Sequence, residues 1–183
     1  CGKTQLIANA LAAHANTKPI LVLTHTNAGV SALRARLDRA GVNRSKYRIS
    51  TLDGWAMRLI AAFPKRSAHS PEILQLANPR HDYPQIRDAA CRLLAEEHIS
   101  DILASSYSRL IVDEYQDCSE IQHFLVVCVG SVLPTCVLGD PLQAIFNFGG
   151  TLADWEKMVC ADFPPAGELS TPWWWKNVGE HEF

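Results

Sequence analysis

Two apolar stretches of this chain end in acids: LIVDEYQD delivers Asp113 and Glu114, and TCVLGD delivers Asp140. An aspartate at the carboxyl end of a buried strand stands where open α/β sheets bind their ligands. It can hold Mg²⁺ directly or through water, and a neighbouring glutamate can orient or deprotonate a water. Each acid has a glutamine soon after it, Gln116 and Gln143. A glutamine amide can accept from a water and donate to a phosphate oxygen. Near the start, Gly2-Lys3-Thr4 heads an apolar helix pattern, CGKTQLIANALAAH. These match the last three positions of GxxxxGK(S/T), where Lys3 would reach the β and γ phosphates and Thr4 would ligand Mg²⁺. Phosphate oxygens would sit on helix N-terminal amides. Singly, each feature has an ordinary reading, since acids often close a strand and GKT triplets arise by chance. Together they suit in-line attack on a γ-phosphate, with the charge neutralised by Mg²⁺ and lysine.

Such a site needs elements to hold it. Gly2 to Ala15 reads as a helix with Leu6, Ile7, Ala10 and Leu11 on one face. Ile20 to Leu23 is a continuous apolar run, which suits a strand buried on both faces of a parallel sheet. Ala28 to Ala40 is amphipathic, and Gly41 ends it. Its polar side carries Arg34, Arg36 and Arg39, read as a solvated helix face with a nucleic-acid contact as the rival. Tyr47 to Ser50 is a short strand and Asp53 to Phe63 a helix. Pro64 to roughly Pro84 holds four prolines among polar residues with no clear period, and reads as a loop or small insertion. Gln85 to Glu97 is helical, with a further turn over Ile99 to Ser106. Leu110 to Val112 is a strand, Ser119 to Val129 a helix with Ser119 as N-cap, and Thr135 to Leu138 another buried strand. Thr151 to Val159 reads as a helix and Leu169 to Thr171 as a last strand. Strands alternating with helices predict an α/β domain with a parallel sheet flanked by helices.

The bulk numbers agree with one globular domain: 183 residues, 48% hydrophobic and 20% charged. Net charge is −2, from 17 Lys+Arg against 19 Asp+Glu, so no global basic field announces nucleic acid. A local groove remains open to it. Cys1, Cys91, Cys118, Cys128, Cys136 and Cys160 form no CxxC pair and lack zinc-finger spacing to histidine. Most lie in apolar stretches, which predicts buried free thiols of a reducing, cytoplasmic compartment. No signal peptide or membrane span is visible. The seven histidines show no ligand spacing.

The motifs CGKT, LTHTNAGVSALRARL, STLDGWAMRLI, LIVDEYQDCSEIQ and VLGDPLQAIFNF stand in an order that resembles superfamily 1 helicases of the UvrD/PcrA/Rep type. DEYQD with GDPLQAIF is the specific part, and it argues against another P-loop enzyme such as a nucleotide kinase. The resemblance runs from residue 1 to about 150. It implies the first RecA-like domain of an ATP-driven DNA translocase, a P-loop NTPase fold lacking its first, P-loop strand. By the resemblance, Gly2, Lys3, Thr4, Asp113, Gln116 and Gln143 bind ATP, and Thr4 and Asp113 hold Mg²⁺. Glu114 activates water, and Gln143 senses the γ-phosphate. Single-stranded DNA is the implied partner, met by Thr24, Thr26 and Asn27, and by Ser50, Thr51 and Asp53. Many relatives carry His-Ser where this chain has Asp53-Gly54. In the family an aromatic of the Phe146–Phe148 stretch stacks on bases; of these two, alternation makes one available and one buried.

The expected organisation is residues 1–63 and 107–183 as two parts of one ATPase domain, with 64–106 as a small helical or loop insertion. The resemblance also implies a strand and an adenine motif upstream of Gly2, and a second RecA-like domain, none of them within these residues. It therefore predicts a fragment that binds nucleotide poorly on its own. In TPWWWKN, Trp174 stands where relatives carry an arginine. One reading is a lost phosphate contact, the other a hydrophobic anchor against the second half. The rival function is a degenerate helicase-like module that holds DNA or a protein partner without turnover.

Overall fold

The computed structural model describes residues 2–143 and 151–169. Four strands, β1 (Ile20–Thr24), β2 (Tyr47–Thr51), β3 (Arg109–Val112) and β4 (Thr135–Val137), form one sheet in the order β2-β1-β3-β4. All three pairings are parallel. Crossovers between parallel strands place helices on both faces. Helices α1 (Lys3–Ala13) and α2 (Asn27–Arg39) cover one face, where Ile7, Leu11, Leu33 and Leu37 pack on Ile20, Val22 and Ile111. The other face takes α3 (Leu52–Ala62), the short α4 (Pro64–Ser67), α5 (Pro79–Leu94), α6 (Glu97–Ser106) and α7 (Glu120–Gly130). There Leu21, Leu23, Leu110 and Val112 meet Trp55, Ile60, Ile86, Leu93 and Leu125. Alternate residues of β1 thus feed opposite cores, as the two-residue side-chain period of a strand requires. Every residue of β1 is buried, which explains its unbroken apolar run.

The elements correct five expectations. The proline-rich stretch contains helix: α5 begins at Pro79, and Pro84 lies inside it. Pro79 occupies the first helical position, where a missing N–H costs nothing, and Asp82 Oδ2 accepts the Asn78 amide at 2.8 Å. The burial of Ile86, Ala89, Ala90, Leu93 and Leu94 retains the helix despite the bond that Pro84 cannot make. β4 is not a buried strand, because its residues lie half-buried or exposed at the edge of the described sheet. For the same reason Cys136 is an exposed thiol, whereas Cys91 and Cys118 are buried, and all five described cysteines are free. Residues 151–154 are not helical: Leu152 bridges Ser119, and the Ala153 amide donates to the Cys118 carbonyl at 2.9 Å. A single π turn follows over Trp155–Val159, capped by Asp154, and leads into α8 (Cys160–Asp162). Leu169 lies in no strand, and Thr171, Trp174, Phe146 and Phe148 fall outside the described residues. Among the described residues no helix is long and apolar enough to cross a membrane.

Candidate active site and nucleic-acid face

Lys3, on the first turn of α1, is buried and donates from Nζ to Glu114 Oε2 at 2.7 Å. The two residues are 111 apart in sequence, so the sheet brings the amino end of α1 to the carboxyl end of β3. Glu114 has φ 55 and ψ 44, a left-handed conformation that costs a non-glycine residue about 1–2 kcal/mol. It turns the chain out of β3 into a tight turn over Tyr115–Asp117. Burial pushes the Glu114 carboxyl up, but hydrogen bonds from Lys3 and Gln116 outweigh this and hold it below the usual glutamate range.

Gln116, also buried, donates from Nε2 to the same Glu114 oxygen at 2.8 Å. Its Oε1 accepts the Asp140 backbone amide at 3.0 Å. Asp140 Oδ2 accepts from Gln143 Nε2 at 2.7 Å, and Oδ1 accepts the Leu142 amide at 3.1 Å. Lys3, Glu114, Gln116, Asp140 and Gln143 therefore form one hydrogen-bonded path. Asp113 is buried beside it, its amide donating to the Leu23 carbonyl at 2.8 Å. Its Oδ1 is buried without a hydrogen-bond partner among the described residues, as is Asp117 Oδ1. Burial, then the adjacent Glu114 charge, raises the Asp113 pKa against the opposing pull of Lys3. Gly2 caps α1 through its backbone, its carbonyl accepting the Leu6 amide at 2.9 Å. Thr4 follows in the first turn, and no side-chain hydrogen bond ties it to the cluster among the described residues.

The residues expected to meet DNA gather at the neighbouring strand ends. Thr24 pairs in register with Thr51, and Leu23 with Ser50. Thr24 and Ser50 are buried, while Thr26 and Asn27 are exposed. Thr26 and Thr51 cap α2 and α3 identically, each hydroxyl oxygen accepting at 3.0 Å from the amide three residues on, Gly29 and Gly54. An accepting hydroxyl keeps its own O–H to donate. A Cβ at Gly29 would stand 2.9 Å from Thr24 Oγ1, and one at Gly54 2.7 Å from Thr51 Oγ1. The repeated T-x-x-G of Thr26–Gly29 and Thr51–Gly54 is the sequence signal for this arrangement. Asp53 differs from its neighbours: both its carboxylate oxygens are taken by Arg87 Nε and Nη2, at 2.7 and 2.8 Å. Gln122 Nε2 adds a third, longer contact at 3.5 Å. His25 also gains a place, its Nε2 standing 3.3 Å from Cys118 Sγ.

Residues 72–159 match the family model described as UvrD/REP helicase N-terminal domain. That segment carries Asp113, Glu114, Gln116, Asp140 and Gln143 of the path. A curated relative, one of the subunits of an ATP-dependent helicase/nuclease from Leuconostoc mesenteroides subsp. mesenteroides, is 27% identical over 67 residues. The match covers 37% of this chain and 5% of that protein, so the chain spans a small part of its relative's length. The α/β architecture, a parallel sheet between helices, agrees with that family match over residues 72–159.

Proposed function

We propose that this chain supplies the ATP-binding and ATP-hydrolysing half-site of a helicase that couples hydrolysis to translocation on single-stranded DNA and to unwinding. The observation that carries it is the meeting of Lys3, from a GKT helix start, with Glu114 and Gln116 beside the partnerless Asp113 oxygen. In this arrangement Lys3 and Glu114 neutralise one another. The more highly charged phosphates of ATP would draw the Lys3 ammonium to themselves. Glu114, still held by the Gln116 amide, is then free to accept the proton of an attacking water. Asp113 Oδ1 and the Thr4 hydroxyl are hard oxygen donors suited to Mg²⁺, which takes few protein ligands and shares the phosphates. Bound there, the ion would neutralise charge on the transferred phosphoryl group. Thr24, Thr26, Asn27, Ser50 and Thr51 lie beside this site at the ends of β1 and β2, where hydroxyls and helix amides can bond a phosphate backbone. Asp53, engaged by Arg87, would act there by holding α3 in place.

The test is ATP hydrolysis by the full-length polypeptide with and without single-stranded DNA. Hydrolysis stimulated by DNA and lost in Lys3→Ala is expected. DNA binding with no hydrolysis at all would instead favour a non-hydrolysing, helicase-like binding module.

A further inference from the structure

We infer that Gln116 is a positioning residue that ties the Glu114 carboxylate to the loop bearing Asp140 and Gln143, so that the state of this loop sets the aim of the base. The inference rests on reading Glu114 as the base of an ATPase. Both ends of the Gln116 amide are engaged: Nε2 donates to Glu114 Oε2 and Oε1 accepts the Asp140 amide. A side chain so committed is not a free phosphate ligand. Glu114 Oε2 accepts from Lys3 and from Gln116. Once phosphates take Lys3, Gln116 is the donor that still orients the carboxylate. An amide can donate at one end and accept at the other; a carboxylate here could not donate and would set like charge beside Glu114.

The loop is sewn to this residue by its backbone as well. The Tyr115 amide donates to the Leu138 carbonyl at 2.9 Å. A Cβ on Gly139 would come within 3.2 Å of the Gln116 nitrogen, so the chain leaving β4 lies directly against Gln116. Gln143 is held to Asp140 twice, by its side chain and by its amide, which donates to the Asp140 carbonyl at 2.9 Å. A displacement of Gln143 by a phosphate therefore reaches Asp140, then Gln116, then Glu114.

Two measurements on the full-length polypeptide test this. The first is steady-state ATP hydrolysis with single-stranded DNA for Gln116→Ala, Gln143→Ala and the double variant. Gln116→Ala is expected to lower kcat about 10–100-fold with KM for ATP within about twofold. Gln143→Ala should then cost less than about twofold more, because the path is already cut. An unchanged kcat, a KM that rises in step with the loss, or effects that multiply would overturn the proposal. The second is hydrogen exchange of the Asp140 amide without nucleotide. Gln116→Ala should speed it about tenfold or more, and Gln116→Glu, which keeps the acceptor, should not. Equal exchange in all three proteins overturns the tie itself. A protected Asp140 amide in a wild-type protein that hydrolyses no ATP overturns the ATPase reading, and with it the role given to Gln116.

Discussion

His25 is half-buried between the Asp53–Arg87 pair, Glu114 and Cys118, and its pKa is pushed from 6.5 down to about 4. Burial is the main cause; Asp53 and Glu114 pull upward, and Arg87 adds to the downward push. Between about 4 and 6.5 the unfolded chain binds a proton that the folded chain does not. The stability that rests on neutral His25 is thus complete above its unfolded pKa and is lost as pH falls toward the folded one. In urea titrations, wild type should lose about 1–2 kcal/mol more than His25→Gln between about pH 7 and pH 5. Parallel losses would show that His25 titrates as in water. Asp53→Ala strands a guanidinium whose side chain is 7% exposed, and should cost about 3–5 kcal/mol of folding stability. Asp38→Ala, which frees the exposed Arg44, should change stability little. Equal effects from the two would contradict the buried pair. Little of this was legible in the sequence. Asp53 and Arg87 lie 34 residues apart, and nothing in either segment signals the other. Asp113 and Glu114 were legible, because an apolar run ending in acids marks a strand end without knowledge of the partner strands.

At the scale of elements, the sequence disclosed what periodicity encodes. Residues 20–24 and 110–112 of the two interior strands are buried, and they carry apolar runs. The Ser119 cap is present as a full capping box, Gln122 Oε1 accepting the Ser119 amide at 3.0 Å. Where context decides, the sequence was silent. TCV looks like any buried strand, yet β4 lies at an edge because no described strand pairs beyond it. A cluster of prolines looks like a loop, yet Pro79 starts a helix that tertiary burial completes. The twin caps of α2 and α3 give a prediction at this scale. Gly54→Ala pushes a methyl onto the Thr51 hydroxyl, and should cost about 1–2 kcal/mol, the value of a lost cap. The double variant Thr51→Ala/Gly54→Ala should cost no more than the larger single one. Additive losses in denaturant titrations would mean that the glycine serves some purpose other than clearing the cap.

For the whole molecule, the turn that carries Glu114 is anchored from behind. Asp162 accepts from His123 Nε2 at 2.9 Å, which leaves Nδ1 to accept the Tyr115 hydroxyl, also at 2.9 Å. Phe163 lies edge-on to both rings. The turn after β3 is thereby fixed to α7 and to the segment around α8, while its front is held by Lys3 and Gln116. One parallel sheet thus presents two adjoining surfaces, a carboxylate–lysine cluster at the end of β3 and a pair of threonine-capped helix starts at the ends of β1 and β2. In the proposed function the first surface takes ATP and the second a DNA strand; the family match over residues 72–159 contains the carboxylates of the first surface and lies outside the second. The most direct measurement is the turnover of ATP by the full-length polypeptide and its Glu114→Gln variant, both saturated with single-stranded DNA. A loss of about 100-fold or more in kcat with ATP binding retained is expected. Turnover that survives in Glu114→Gln would contradict it.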